Sequence, residues 1–238
     1  FKQKTAYEML RSLVGSEMCI RDRLQAKCKE KNLSQQEINQ ERTLIDREYE
    51  LEFCAEERAL LELLDGKKTA KVHVHKHDDV LYLIELVRKY NLRATADHVE
   101  DVFSRDVFDA LADEHIPVVY GPMGSFPYKV ELKHSSYKNA RLLCESRALF
   151  GLMSDHPVLS PLLLRDSLKF FLMFGMSDAD AISVLTRRNA MILGIDDQLG
   201  SIVPGMLASL VVWPRHPLDL GVMPRMILAE GKIVRDAK

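Results

Sequence analysis

Hydrophobic and polar positions divide this chain into two unlike stretches. Residues 1–65 are crowded with charge, hold no proline, and have Gly15 as their one glycine. A helical period builds from Leu33: Leu44, Leu51, Ala55, Leu60 and Leu64 recur at approximately helical intervals among Glu and Arg. Ser34, with Glu37 three residues on, has the spacing of a capping box, and Asp65-Gly66 stops the run. The pattern predicts a solvated amphipathic helix with one face on a core. It lacks the sustained heptads of a coiled coil.

From Gly66 onward the pattern changes to alternating strands and helices. Ala70 to His75 (AKVHVH) has a period of two and predicts a strand. Asp78 to Tyr90 carries acids in its first turn and cations in its last, as a helix dipole favours. Leu92 to Ala96, Ile116 to Tyr120 and Leu149 to Met153 predict three further strands. Val102 to Glu114, Asn139 to Ser146, Ser160 to Gly175 and Ser177 to Leu193 predict helices. Four β-α units in series imply parallel strands with right-handed crossovers. The tail differs again, with short strands around turns at Leu207 to Trp213 and Arg225 to Val234. The expected organisation is a charged helical segment over 1–65, a β/α body over 66–195 and a small β subdomain over 196–238.

Composition narrows the class without naming a function. Lys and Arg number 33 against 35 acids, a net charge of −2, so no basic field draws in nucleic acid or an anionic membrane. The longest apolar runs, such as Phe170 to Phe174, fall far below the roughly 20 residues that span a bilayer. The opening Phe1 to Lys4 does not read as a signal peptide. Cys19, Cys28, Cys54 and Cys144 form no CxxC pair, which points to a reducing, cytoplasmic compartment without disulfides. The expected partner is a small molecule, with a second copy of the chain as a candidate.

Histidine placement carries the chemistry. His73 and His75 lie two apart on the first strand and so point to one face. His98 follows the second strand, and Asp155 follows the fourth. All sit at or near the carboxyl ends of parallel strands, where α/β proteins place their ligands. Neutral imidazole and carboxylate are ligands that zinc, manganese or iron accept, and a bound water then becomes a nucleophile. Any one of these histidines alone reads equally well as a satisfied structural residue. Three histidines and an aspartate at strand ends favour the metal reading. His77 reads as a capping or solvent-facing residue, Asp78 and Asp79 as helix N-terminal acids, and His115, His134 and His216 as loop residues without a role.

At these residues the chain resembles the amidohydrolase superfamily, in particular its imidazolonepropionase-like and prolidase-like metal-dependent hydrolases. The resemblance runs from about Leu60 to Val234. It rests on Val72-His-Val-His-Lys-His-Asp-Asp-Val80, Thr95-Ala-Asp-His98, Ser154-Asp-His-Pro157, Leu185-Thr-Arg-Arg-Asn-Ala190 and Leu193 to Gly205, then on Ala208 to Trp213 and Ile227 to Lys232. It implies the C-terminal half of a TIM-like (β/α)8 barrel, an α/β fold, with the tail contributing to a composite β-sandwich. By that resemblance His73 is the fifth-strand metal ligand and His98 the sixth-strand histidine, a ligand or a substrate and water contact. Asp155 is then the eighth-strand carboxylate that binds metal and acts as general base. His75 and His156 are expected to orient the ligands or face substrate. Gly121 and Ser125 to Tyr128 belong to the seventh-strand loop, with Tyr128 on the substrate side. The implied cofactor is one or two divalent ions, zinc foremost. The implied reaction is hydrolysis of a carbon–nitrogen bond in a cyclic amide, amide or dipeptide-like substrate by a metal-bound hydroxide.

Departures from the family pattern qualify that picture. The family's first strand carries an HxH pair, and no such strand precedes Ala70. Arg188-Asn-Ala190 lacks the family's proline, and Ser209 replaces its acid. A half-barrel is expected to have raw strand edges, to associate or aggregate, and to hold metal weakly. Ser12 to Arg23 resemble a translated sequencing adapter, which implies that they do not belong to the natural chain. Two other functions stay open beside the enzyme: a non-catalytic scaffold or assembly protein that keeps the fold, and a helix-rich interaction protein working through residues 24–65.

Overall fold

The computed structural model describes residues 34–52, 54–124 and 129–237. The adapter-like segment, Cys19, Cys28 and Tyr128 lie outside them. The chain forms two compact units, residues 1–69 and 70–238.

In the first unit the expected helix is two. α1 spans Gln35–Glu52 and α2 spans Ala55–Leu64. The capping box forms as the spacing predicts: the Ser34 backbone N–H donates to Glu37 Oε2 at 2.9 Å, and the Glu37 N–H reaches back to Ser34 Oγ at 3.4 Å. A second box starts α2. There the Cys54 N–H donates to Glu57 Oε2 at 3.1 Å while Cys54 holds an extended backbone. That extended residue interrupts what hydrophobic spacing alone reads as one helix.

The second unit is built on a four-stranded parallel sheet of β1 (Ala70–Lys76), β2 (Ala94–Asp101), β3 (Val118–Tyr120) and β4 (Phe150–Leu152), in that order. The crossovers are α3 (His77–Tyr90), α4 (Arg105–Asp113) and α5 (Asn139–Glu145). α6 (Leu164–Leu172), α7 (Asp178–Leu185) and α8 (Arg187–Leu193) follow β4. A three-stranded antiparallel sheet, β5 (Leu210–Val212), β6 (Met226–Ala229) and β7 (Lys232–Asp236), ends the chain. This is a partial TIM-like barrel plus a small antiparallel sheet.

Local chemistry explains the boundaries. α3 begins with Asp78 and Asp79 against its positive end and finishes with Arg88, Lys89 and a left-handed Asn91. α4 begins three residues later than Val102 because Ser104 caps it, accepting from the Asp106 N–H. The segment ahead of it extends β2 to Asp101, well past the expected end at Ala96. The helix expected from Ser160 starts instead as a short 3-10 turn at Pro161, and the one expected from Ser177 breaks at Thr186 (φ −123°, ψ −92°).

One apolar core fills the space between sheet and helices. Val80, Leu83, Ile84 and Val87 of α3 join Phe108 and Leu111 of α4, Leu143 of α5 and Phe171 of α6 in it. The Phe171 ring stacks on Phe150 at 5.3 Å and meets Tyr120 edge-on at 6.2 Å. The small sheet is tied to α6 by Arg165, which donates to the Val222 carbonyl at 2.8 Å and lies 4.7 Å over the Trp213 ring. No helix among the described residues is long and apolar enough to cross a membrane.

Candidate metal centre

Register sorts the parallel sheet into rows. Val72, Ala96, Val118 and Phe150 align, then His73, Asp97, Val119 and Gly151, then Val74, His98, Tyr120 and Leu152. Side chains alternate between faces, so the third row should share the face of the first. Val74, Tyr120 and Leu152 obey and are buried in the core. His98 does not. It and Val99 hold left-handed backbones, φ 76° and 56°, inside a strand. A β-branched residue rarely adopts that conformation, so the packing around Val99, which is fully buried, must impose it. The pairing of β1 and β2 slips at the same level, between Val74 and Lys76. Such irregularities re-aim side chains beside active sites. Here the turn swings His98 onto the face of His73 and His75.

The three imidazoles converge. Ring centroids lie 4.8 Å apart for His73 and His75, 4.3 Å for His73 and His98, and 4.6 Å for His75 and His98. One potential ligand atom from each lies within 4.8 Å of the other two. His75 and His98 are buried, whereas the His73 side chain is 54% exposed. His98 Nδ1 stands 2.7 Å from the Gly121 carbonyl, which can only accept. The proton is therefore on Nδ1 and the Nε2 lone pair is free. Gly121 has φ 123°, and a Cβ there would come 2.6 Å from the Met153 carbonyl oxygen, so glycine is required for Gly121 to present its own carbonyl to His98. His75 is neutral at pH 7: burial, then the neighbouring His98, pushes it down to about 4. Burial also lowers His98. Neutral rings are the form a metal accepts.

Acids surround the cluster, and sequence reasoning missed two of them. Glu131, in the 3-10 turn Val130–Leu132, sets Oε1 3.8 Å from Nε2 of both His73 and His75. The same oxygen is 3.1 Å from Lys129 Nζ, whose hydrogen bond holds the Glu131 carboxyl below its usual range. Glu100 is buried near the end of β2, with Oε2 3.8 Å from His75 Nδ1. Burial raises its carboxyl to about 8. Its signal was its place two residues after His98, visible only once the strand is known to continue past Ala96. Glu131 lies in a loop and gave no sequence signal.

The other expected residues fall at different distances from this centre. Asp155 is exposed beyond the end of β4 with a left-handed backbone (φ 49°), and it is not one of the converging ligand set. Its charge nevertheless reaches His98 and Glu100, favouring the protonated form of each. His156 beside it is exposed. His77 stacks on Phe103 at 4.4 Å, which in turn meets His134 at 4.9 Å. His134 is anchored rather than idle, with its backbone N–H and Nδ1 both directed at buried Asp101.

The donor set fits a divalent ion. Tetrahedral zinc with bonds to nitrogen of about 2.0–2.1 Å needs ligand atoms about 3.4 Å apart. The three rings are already within 4.8 Å, and exposed His73 is free to close the difference.

Comparisons with known proteins bear on the family and the fold. The model of the amidohydrolase family matches residues 28–234. An amidohydrolase from Thermotoga maritima MSB8 superposes with a TM-score of 0.69 at 26% identity, over 94% of this chain and 55% of that one. An Xaa-Pro dipeptidase with bound methionine gives 0.58 at 20% identity, over 71% of this chain and 45% of its own. A zinc-bound adenosine deaminase from Xanthomonas campestris gives 0.54 at 19%, over 74% and 47%. At those identities the last two show the fold alone. The imidazolonepropionase of Hahella chejuensis (strain KCTC 2396) is 40% identical over 48 residues, 20% of this chain and 12% of that protein. This chain thus spans about half the length, or less, of these relatives.

Proposed function

The chain belongs to the amidohydrolase family, and from that premise we propose that it is the C-terminal portion of a metal-dependent hydrolase acting on a carbon–nitrogen bond of a small molecule. The observation that supports this most is the convergence of His73, His75 and His98, two of them buried, at the ends of β1 and within β2. Cyclic amides, amides and dipeptide-like compounds are the substrate class, on the likeness to an imidazolonepropionase and to a dipeptidase.

His73, His75 and His98 hold the ion, with zinc as the candidate. The ion, when bound, supplies Lewis acidity that polarises a carbonyl and acidifies a water. The protein's own groups do the rest. Gly121 fixes the His98 tautomer through its carbonyl, so that Nε2 faces the centre. Asp155, exposed at the mouth, accepts the proton of the attacking water and delivers it to the leaving nitrogen. Carriage of that proton matters because an amide nitrogen leaves only once protonated. Glu131 and Lys129 place one negative and one positive charge at the edge of the centre, where a zwitterionic or polar substrate would meet both. His156 is a candidate for substrate contact, and Tyr128 is kept as one on the family resemblance alone.

The test is a zinc titration of the full chain followed by a panel of cyclic amides and Xaa-Pro dipeptides. Zinc should bind with modest affinity and lose its site in His98→Ala. Zinc-supported hydrolysis should vanish in Asp155→Asn while zinc binding persists. Zinc binding that is unchanged in both His73→Ala and His98→Ala would sink the reading.

A further inference from the structure

Two buried imidazoles in this centre face the same problem and meet it differently. Each must keep a proton on Nδ1 to offer Nε2, and a buried N–H needs an acceptor. His98 solves it with the Gly121 carbonyl at 2.7 Å. His75 Nδ1 has no hydrogen-bond partner, although it is fully shielded from solvent. Its Nε2 already points to the same place as His73 Nε2, since both lie 3.8 Å from Glu131 Oε1. On its other side stands the carboxyl group of Glu100, buried with 7% of its surface exposed, with Oε2 at 3.8 Å from Nδ1.

We propose that Glu100 is the positioning residue of His75: it accepts the Nδ1 proton of that ring and so fixes the tautomer and orientation with which Nε2 joins the centre. Closing the gap takes less than 1 Å, from 3.8 Å to the roughly 2.8–3.0 Å of a hydrogen bond. A cation held at Nε2 would favour that closure, because it would make the ring a stronger Nδ1–H donor and would favour the ionised form of Glu100 that accepts the bond. A carboxylate behind a ligating imidazole also raises its basicity. The backbone helps hold Glu100 in place, since Asn139 Nδ2 donates to the Glu100 carbonyl at 3.0 Å. Glu100 itself need not touch substrate or ion.

This inference rests on the metal reading above, and its test separates the two. Cobalt(II) replaces zinc as the probe in the full chain, because its visible absorption reports ligand number and geometry. In Glu100→Gln, which keeps shape but cannot ionise when the ion binds, cobalt affinity should fall about 10–100-fold with an altered visible spectrum. The thermal midpoint of the metal-free protein should hold or rise. In parallel, ¹⁵N spectra of histidine-labelled protein with zinc should show His75 protonated at Nδ1 in the parent chain and a mixture of tautomers in the variant. Equal cobalt affinity and an unchanged tautomer in Glu100→Gln would overturn the role of Glu100 while leaving the centre intact. Failure of the parent chain to bind cobalt at all would instead overturn the metal reading. If the variant does not fold, the ¹⁵N measurement on the parent still decides: His75 protonated at Nε2 in the zinc form refutes the proposal.

Discussion

The two faces of the parallel sheet obey different rules although they share four strands. On the helix side, Ala96, Val118, Tyr120, Phe150 and Leu152 are apolar or aromatic, buried and in register, and each backbone is ordinary. On the other side and at the strand ends stand three histidines, the carboxyl groups of Glu100 and Glu131, and a pair of left-handed residues within β2. The first face lowers the free energy of the fold through burial. The second spends some of that stability on buried polar atoms and backbone strain. Packing on one face thus holds the unfavourable arrangement on the other.

The comparison breaks most visibly in the core. Phe108→Ala removes a ring with no exposed surface and should destabilise the second unit by about 3–5 kcal/mol, seen as a large drop in urea midpoint. That is a large share of the roughly 5–15 kcal/mol that domains possess, so metal binding should fail with it. His98→Ala should do the reverse, abolishing zinc binding by titration with little loss of midpoint.

Gly121→Ala should be intermediate and touch both faces. The new Cβ meets the Met153 carbonyl at 2.6 Å in a backbone that favours glycine. A cost of about 1–3 kcal/mol is expected, with weaker zinc binding because the acceptor of the His98 proton moves.

The buried titratable groups give a pH signature for the metal-free protein. Glu100 has its carboxyl raised from 4.5 to about 8, so the folded state retains a proton that the unfolded state releases. Its contribution is present below about pH 4.5 and is lost as pH rises toward 8. His75 is lowered from 6.5 to about 4, so the unfolded state takes up a proton first and stability is lost as pH falls from 6.5 toward 4. The two oppose each other below pH 6.5. Above it only Glu100 acts, so the urea midpoint should decline from pH 6.5 to 8, and Glu100→Gln should flatten that decline. The smallest effect belongs to the antiparallel sheet, where Ile233 is exposed: Ile233→Thr should change stability by no more than about 0.5 kcal/mol.

Much of this was legible in the residues. Period-two and helical spacing placed four parallel strands and their crossovers because burial on a sheet or a helix writes its own period into the chain. The pair His73 and His75 was legible for the same reason. The pattern falls short at β2, where Asp97-His-Val-Glu-Asp101 looks like a turn leading into a helix although the strand runs to Asp101. That segment is polar yet buried at His98, Glu100 and Asp101, and its left-handed residues are neither glycine nor asparagine. Glu100 was hidden by that early ending, and Glu131 by lying in a loop whose path no periodicity records.

The sequence by itself determined the class of fold, the order of its strands and the histidines available at their ends, because those follow from local spacing and from residue type. Only the tertiary structure decided which nitrogen each histidine presents, that His98 turns against its own row, and which carboxylates stand behind and beside the rings. Those outcomes depend on a strained backbone held by distant packing, on a carbonyl brought in by Gly121 and on side chains many residues apart. No local pattern encodes such distances, since it is the packed core that sets them.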